Sequence, residues 1–127
     1  SAVSNLLGNT PLEAAMHANF ERLGPPPFTA EDRAFAAEIQ KTLREEDIVS
    51  AYRRHGLTPQ EGVVLCDAII PLGSKGAGMV GSTDVGDVSW KVPTVQARGA
   101  TYAIGTPGHS WQVVAQGKNE AAHTGMV

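Results

Sequence analysis

A chain of 127 residues, 42% apolar and 18% charged, has the size and mixture of one globular domain, and its 14 glycines and 8 prolines require many turns. Ten basic against 13 acidic residues, a net charge of -3, remove the electrostatic case for nucleic acid or an anionic membrane as partner, which leaves a small molecule or a protein. The single Cys66 excludes an internal disulfide and a cysteine-built zinc site and fits a reducing, cytoplasmic setting, and no apolar run approaches the ~20 residues of a membrane span.

Residues 1–9 are small and apolar and read as an entry segment or short strand. Thr10-Pro11-Leu12-Glu13 has the pattern of a capping box and predicts a first helix whose Leu12, Met16, Phe20 and Leu23 form one apolar stripe, stopped by Gly24 and the prolines after it. Thr29-Ala30-Glu31-Asp32 repeats the start signal. It predicts a second helix burying Phe35, Ile39 and Leu43, with Ala36 beside them. Glu45-Glu46-Asp47 opens a third helix through His55, closed by Gly56; its Arg53-Arg54-His55 cluster reads as cations stabilised at a helix C-terminus rather than an anion site.

From Val63 the period changes. The run from Val63 to Ile70 predicts a buried strand, and Gly73 to Gly78 a surface loop that lacks the Gly-Lys-Ser/Thr ending of a nucleotide-binding loop. Ser82-Thr83-Asp84 predicts a short helix with Val85 and Val88 on one face. Thr94 to Ala97 and Ala100 to Gly105 predict two strands joined tightly at Arg98-Gly99. A last helix is expected from Asn119-Glu120, cut short by the end of the chain. Helices followed by strands indicate α/β or α+β. With its opening at Ser1 and its close at Met126-Val127, the chain reads as a segment of something longer.

Chemistry concentrates between Gly81 and Trp111. His109 follows a strand-like run on a loop, where ligands collect in α/β sheets, so it is a candidate metal ligand or base; the alternative is a hydrogen-bonded loop histidine. Asp84 and Asp87, three apart, suit acid/base or metal work, but Ser82, Thr83 and Asp84 equally suit a helix start, and Asp87 suits a bond to loop backbone or to a ligating imidazole. His123 lies too far from His109 for a helical zinc pair. His17 reads as a partly solvated helix residue, and Cys66 as inert core.

The block Gly81-Ser82-Thr83-Asp84-Val85-Gly86-Asp87-Val88-Ser89-Trp90, followed by Gly105-Thr106-Pro107-Gly108-His109-Ser110-Trp111 and Ala121-Ala122-His123-Thr124-Gly125-Met126, resembles the C-terminal end of the dinuclear-metal amidohydrolase and carboxypeptidase family. The nearest branch is that of the p-aminobenzoyl-glutamate hydrolases. Leu6 to Glu13 and Phe35 to Leu43 look like the same branch, so the resemblance covers nearly the whole chain.

The resemblance implies an α/β, three-layer zinc-exopeptidase catalytic domain interrupted by a lid, with residues 1–127 as the single segment that follows the lid. It implies two divalent ions, zinc or manganese, that lower the pKa of a bridging water for attack on an amide of an N-acyl amino acid or p-aminobenzoyl-glutamate. By motif His109 matches a family metal ligand, and His123 matches a branch residue of less definite role. The His-x-Asp, bridging Asp and Glu-Glu elements that precede the lid have no counterpart in this sequence. One imidazole is one of the roughly four ligands zinc takes, so the isolated chain is expected neither to hold metal tightly nor to hydrolyse an amide. Its partners would be the remaining half of the catalytic domain and a small amide substrate, and an exposed apolar surface would favour self-association. The competing reading is a free-standing, non-catalytic binding module derived from that fold.

Overall fold

The computed structural model describes residues 4–74 and 83–127, and the regular structure among these residues is helical throughout. In chain order it comprises α1 (Thr10–Leu23), α2 (Ala30–Gln40), α3 (Glu45–Arg54), α4 (Val85–Ser89), α5 (Trp111–Gln116) and α6 (Glu120–Thr124). No helix among the described residues is long and apolar enough to cross a membrane. The surface-loop reading of Gly73 to Gly78 falls mostly outside the described residues.

The α/β architecture with C-terminal strands, and with it the three-layer sandwich, is overturned for the described residues: 63–70, 94–97 and 100–105 contain no strand. A strand needs a ladder, because each extended residue exposes a donor and an acceptor that must be paired. Among the described residues one backbone bond joins the two apolar segments, Ile104 N–H to Val64 C=O at 2.9 Å. The neighbouring groups are taken by side chains. Gln116 Oε1 accepts from Ala103 N–H at 2.8 Å, and Gln40 Nε2 donates to Ile104 C=O at 3.0 Å. Two glutamines on helices thus occupy the positions a neighbouring strand would have used.

The helix starts follow local chemistry. In α1 the cap is Asn9 rather than Thr10: Asn9 is extended and its side chain accepts from Leu12 N–H at 3.1 Å, which draws Thr10 and Pro11 into the first turn. Gly24 closes the helix with φ 77°, its N–H donating to Phe20 C=O. The stripe exists, but no α1 residue is buried; Leu12 and Leu23 are 37% and 70% exposed.

In α2 the capping box is complete between Thr29 and Asp32, the side chain of each accepting from the other's backbone N–H. The buried face is Asp32, Ala36 and Ile39, one position round from the expected stripe, which leaves Phe35 at the surface and Leu43 half-buried. Helix α3 carries three acids in its first turn and Arg53 and Arg54 in its last, both exposed, as the dipole favours. Helix α6 is capped by Asn119 and closes at Gly125.

The core gathers Phe28, Ala36, Ile39, Leu65, Ala103 and Ala121, with Val64 and Ala100 packed against it. It therefore lies between α2, the two apolar segments and α6. An ion pair at 2.9 Å from Arg33 to Asp67 ties α2 to the first of those segments. Cys66 is only half-buried, its thiol turned to Ala68 C=O at 3.5 Å.

Candidate functional site

The motif around α4 acts first as a clamp on the start of the chain. Asp87 Oδ1 accepts from Ser4 N–H at 2.9 Å, Ser89 Oγ accepts from Leu7 N–H at 2.8 Å, and Trp90 Nε1 donates to Asn5 C=O at 2.9 Å. Gly86 permits the approach, because a Cβ on it would collide with the Ser4 carbonyl oxygen. Thr83 Oγ1 accepts from Val85 N–H at 3.3 Å, a helix-start contact, whereas Asp84 occupies the cap position without a side-chain bond. Both are exposed, and Ser82 lies outside the described residues. Asp87 is thus committed to backbone 83 positions away, one of the two structural roles expected for it.

Hydrogen bonding from Ser4, its side chain first and then its backbone N–H, holds the Asp87 carboxyl below its ordinary value of 3.8, against a smaller opposing effect of burial. A carboxyl whose folded pKa is depressed contributes stability that is present above the unfolded value and is lost as pH falls through the folded one. The Ser4–Asp87 contact is therefore expected to persist above the ordinary carboxylate range and to loosen below it. An NMR titration should show the Ser4 amide following Asp87 in acid, and Asp87→Asn should abolish that inflection. A Ser4 amide insensitive to the substitution would refute the contact.

His109 sits between two self-bonded turns. Thr106 Oγ1 donates to Ala103 C=O at 2.7 Å, and Ser110 Oγ donates to Pro107 C=O at 2.6 Å while accepting from Val113 N–H as the cap of α5. Between them His109 has φ 58°, the one non-glycine residue with positive φ among the described residues, and its side chain is exposed. Left-handed backbone is uncommon for a side-chain-bearing residue, although histidine is among the types that tolerate it, and such conformations concentrate at functional positions. The loop therefore presents an imidazole outward.

His123 is exposed on α6, with Nδ1 3.8 Å from Glu120 Oε1. Among the described residues no three His, Cys, Asp or Glu side chains are grouped to hold a metal ion. These residues alone do not fit a closed zinc site, since one outward imidazole leaves most of the coordination sphere unfilled. A depression of about 200 Å³ lies instead where the entry segment crosses α4, between Leu7, Asn9, Trp90 and Pro93. It does not include His109.

The helix that follows the site loop, α5, is not among the elements expected from the sequence. Its local signal is present: Ser110 as cap before Trp111-Gln112-Val113-Val114, and Gly117 after it. Gln116 escapes sequence reasoning as well. It is 3% exposed and fully used, accepting from Ala103 N–H and donating to Thr106 Oγ1 at 3.1 Å and Gln112 C=O at 3.0 Å, so it braces the loop that ends at His109.

No family model matches the chain, and no solved structure matches it. Among curated proteins it is similar to a p-aminobenzoyl-glutamate hydrolase subunit of Escherichia coli (strain K12), at 37% identity over 136 aligned residues. The alignment takes in 99% of this chain and 28% of that protein. The chain is therefore a relative of that hydrolase subunit, as its motifs suggested, and spans less than a third of its length.

Proposed function

We propose, from this kinship with a hydrolase subunit, that the chain supplies part of the catalytic domain of a metal-dependent amide hydrolase acting on p-aminobenzoyl-glutamate or a similar N-acyl amino acid. The observation that carries the reading is the likeness to the Escherichia coli protein along 99% of the chain, which includes the loop that turns His109 outward. His109 contributes one ligand to a site for two divalent ions, zinc or manganese. The other ligands and the general base come from polypeptide outside this chain. When bound, the ions acidify a water for attack on the amide carbonyl.

The residues of this chain position that ligand. Gln116, Thr106 and Ser110 hold the loop on both sides of His109, which fixes where its backbone offers the imidazole. Asp87 and Ser89 keep the entry segment against α4 and are structural in this reading. Alone, the chain is inactive.

A chimaera in which this chain replaces the matching part of the Escherichia coli protein tests the reading. It should release glutamate from p-aminobenzoyl-glutamate, the isolated chain should not, and His109→Ala in the chimaera should lower turnover by more than about 100-fold, beyond what loss of a supporting partner costs. Turnover by the isolated chain, or a His109→Ala chimaera that works normally, contradicts it.

A further inference from the structure

Ala103, Thr106 and Gln116 close a hydrogen-bonded ring directly behind the His109 loop. Ala103 N–H donates to Gln116 Oε1 at 2.8 Å, Gln116 Nε2 donates to Thr106 Oγ1 at 3.1 Å, and Thr106 Oγ1 donates to Ala103 C=O at 2.7 Å. The second N–H of the Gln116 amide goes to Gln112 C=O at 3.0 Å. Every direction in the ring is thereby set. Position 116 must accept once and donate twice, which an amide does and a carboxylate does not, and position 106 must both accept and donate, which needs a hydroxyl. Gln116 and Ala103 are 3% and 1% exposed, so a missing member leaves a buried polar group unpaired.

The ring holds both ends of a short span. Thr106 is one end, and Gln116 holds the other through α5, whose cap is Ser110. Pro107, Gly108 and His109 alone join them, and the proline has its φ already set. The span closes with His109 at φ 58°, although Gly108 beside it, the residue type suited to positive φ, does not adopt it. A left-handed histidine next to an ordinary glycine is a conformation imposed by the surroundings. We propose that the ring of Gln116 and Thr106 is a positioning device for the imidazole: it holds Thr106 and Ser110 at a separation that the span meets with a left-handed residue 109, and so sets the direction in which the His109 side chain leaves the backbone. The proposal rests on the functional reading above, in which His109 is a ligand. Gln116 and Thr106 act through His109 and are positioning residues.

NMR of the 127-residue chain, together with turnover of the chimaera, tests it. In the wild type His109 should show the strong intraresidue HN–Hα NOE of a positive φ. Thr106→Val keeps the side-chain shape and the backbone N–H but opens the ring. It should weaken that NOE and, in the chimaera, lower kcat at least about tenfold with KM unchanged, as loss of a partner that orients a ligand does. Thr106→Ser restores the hydroxyl and should restore both, and Gln116→Met should give the same two losses as Thr106→Val. Gly24→Ala strains the end of α1, far along the chain from the ring, and should change neither reading. Three results overturn the proposal: an NOE unchanged in Thr106→Val, a Thr106→Ser variant that behaves like Thr106→Val, or a Gly24→Ala chimaera that loses as much kcat as Thr106→Val, which would make the ring merely structural. The two proposals fail separately. A weakened NOE in Thr106→Val beside a His109→Ala chimaera that turns over normally sinks the functional reading, and a normal NOE in Thr106→Val beside a chimaera that depends on His109 sinks the ring alone.

Discussion

Gly105→Ala is expected to lower the free energy of unfolding by about 3 kcal/mol or more, the sum of a conformational cost of ~1–3 kcal/mol and a steric one of similar size. Gly105 has φ 92°, which alanine adopts only with strain, and a Cβ there would stand 2.8 Å from Ile48 Cα and 3.0 Å from Ile48 N. Those atoms are backbone at the start of α3, so no rotamer change relieves the overlap. The turn cannot yield freely either, because Ala103 on one side is core and Thr106 N–H donates back to Ala103 C=O at 3.1 Å. A loss of this size in a domain of this length lowers the thermal midpoint by roughly 10 °C. Gly24→Ala separates the two costs: φ is 77° but nothing lies within 4 Å, so only the conformational cost remains. Urea denaturation that finds the two variants equally destabilised would show that α3 does not press on Gly105.

Leu65→Ala should cost about 2–5 kcal/mol, and the upper part of that range is expected. Leu65 is 0% exposed and the largest side chain to be fully buried among the described residues. Its core companions include Ala36, Ala103 and Ala121, which have no length to extend into the space left behind. The backbone beside it is pinned by the Ile104 to Val64 bond, which resists collapse. Leu23→Ala is the control, since Leu23 is 70% exposed and surface substitutions of this kind stay within about 0.5 kcal/mol. Equal midpoints for the two variants in a denaturant titration would mean that the core lies elsewhere.

Much of the helical half is legible in the residues because capping is settled within one turn. Thr29 with Asp32, and Asn119 before α6, satisfy amides a few positions away, while the three acids of α3 stand in its first turn where the helix dipole favours them, and each helix begins where those residues stand. The failures are of two kinds. Asn9 displaces Thr10 as the cap of α1, and Ser110 caps a helix α5 that spacing alone does not announce, both choices among adjacent residues of similar chemistry. The strands fail for a different reason. The β-branched run at Val63 does supply one buried core residue, Leu65, but Asp67 and Ala68 within it are exposed, and a run cannot state who will pair with its amides.

The candidate site divides in the same way. That Asp87 would bond loop backbone is among the readings open from its neighbours; that the backbone belongs to Ser4, at the other end of the chain, is not. His109 is singled out by its loop and by the family motif, and its left-handed backbone and exposure come only with the fold. By itself the sequence determined the starts of most helices, a histidine singled out by its loop and motif, and the kinship with a hydrolase subunit, because these depend on contacts within a turn or on motif identity. The tertiary structure decided which face of each helix is buried, that Gln40 and Gln116 rather than a strand bond the backbone at Ala103 and Ile104, and that Trp111 and Val114 are exposed. Those outcomes depend on which distant groups compete for the same backbone donors and the same apolar surface, and local spacing does not encode that competition.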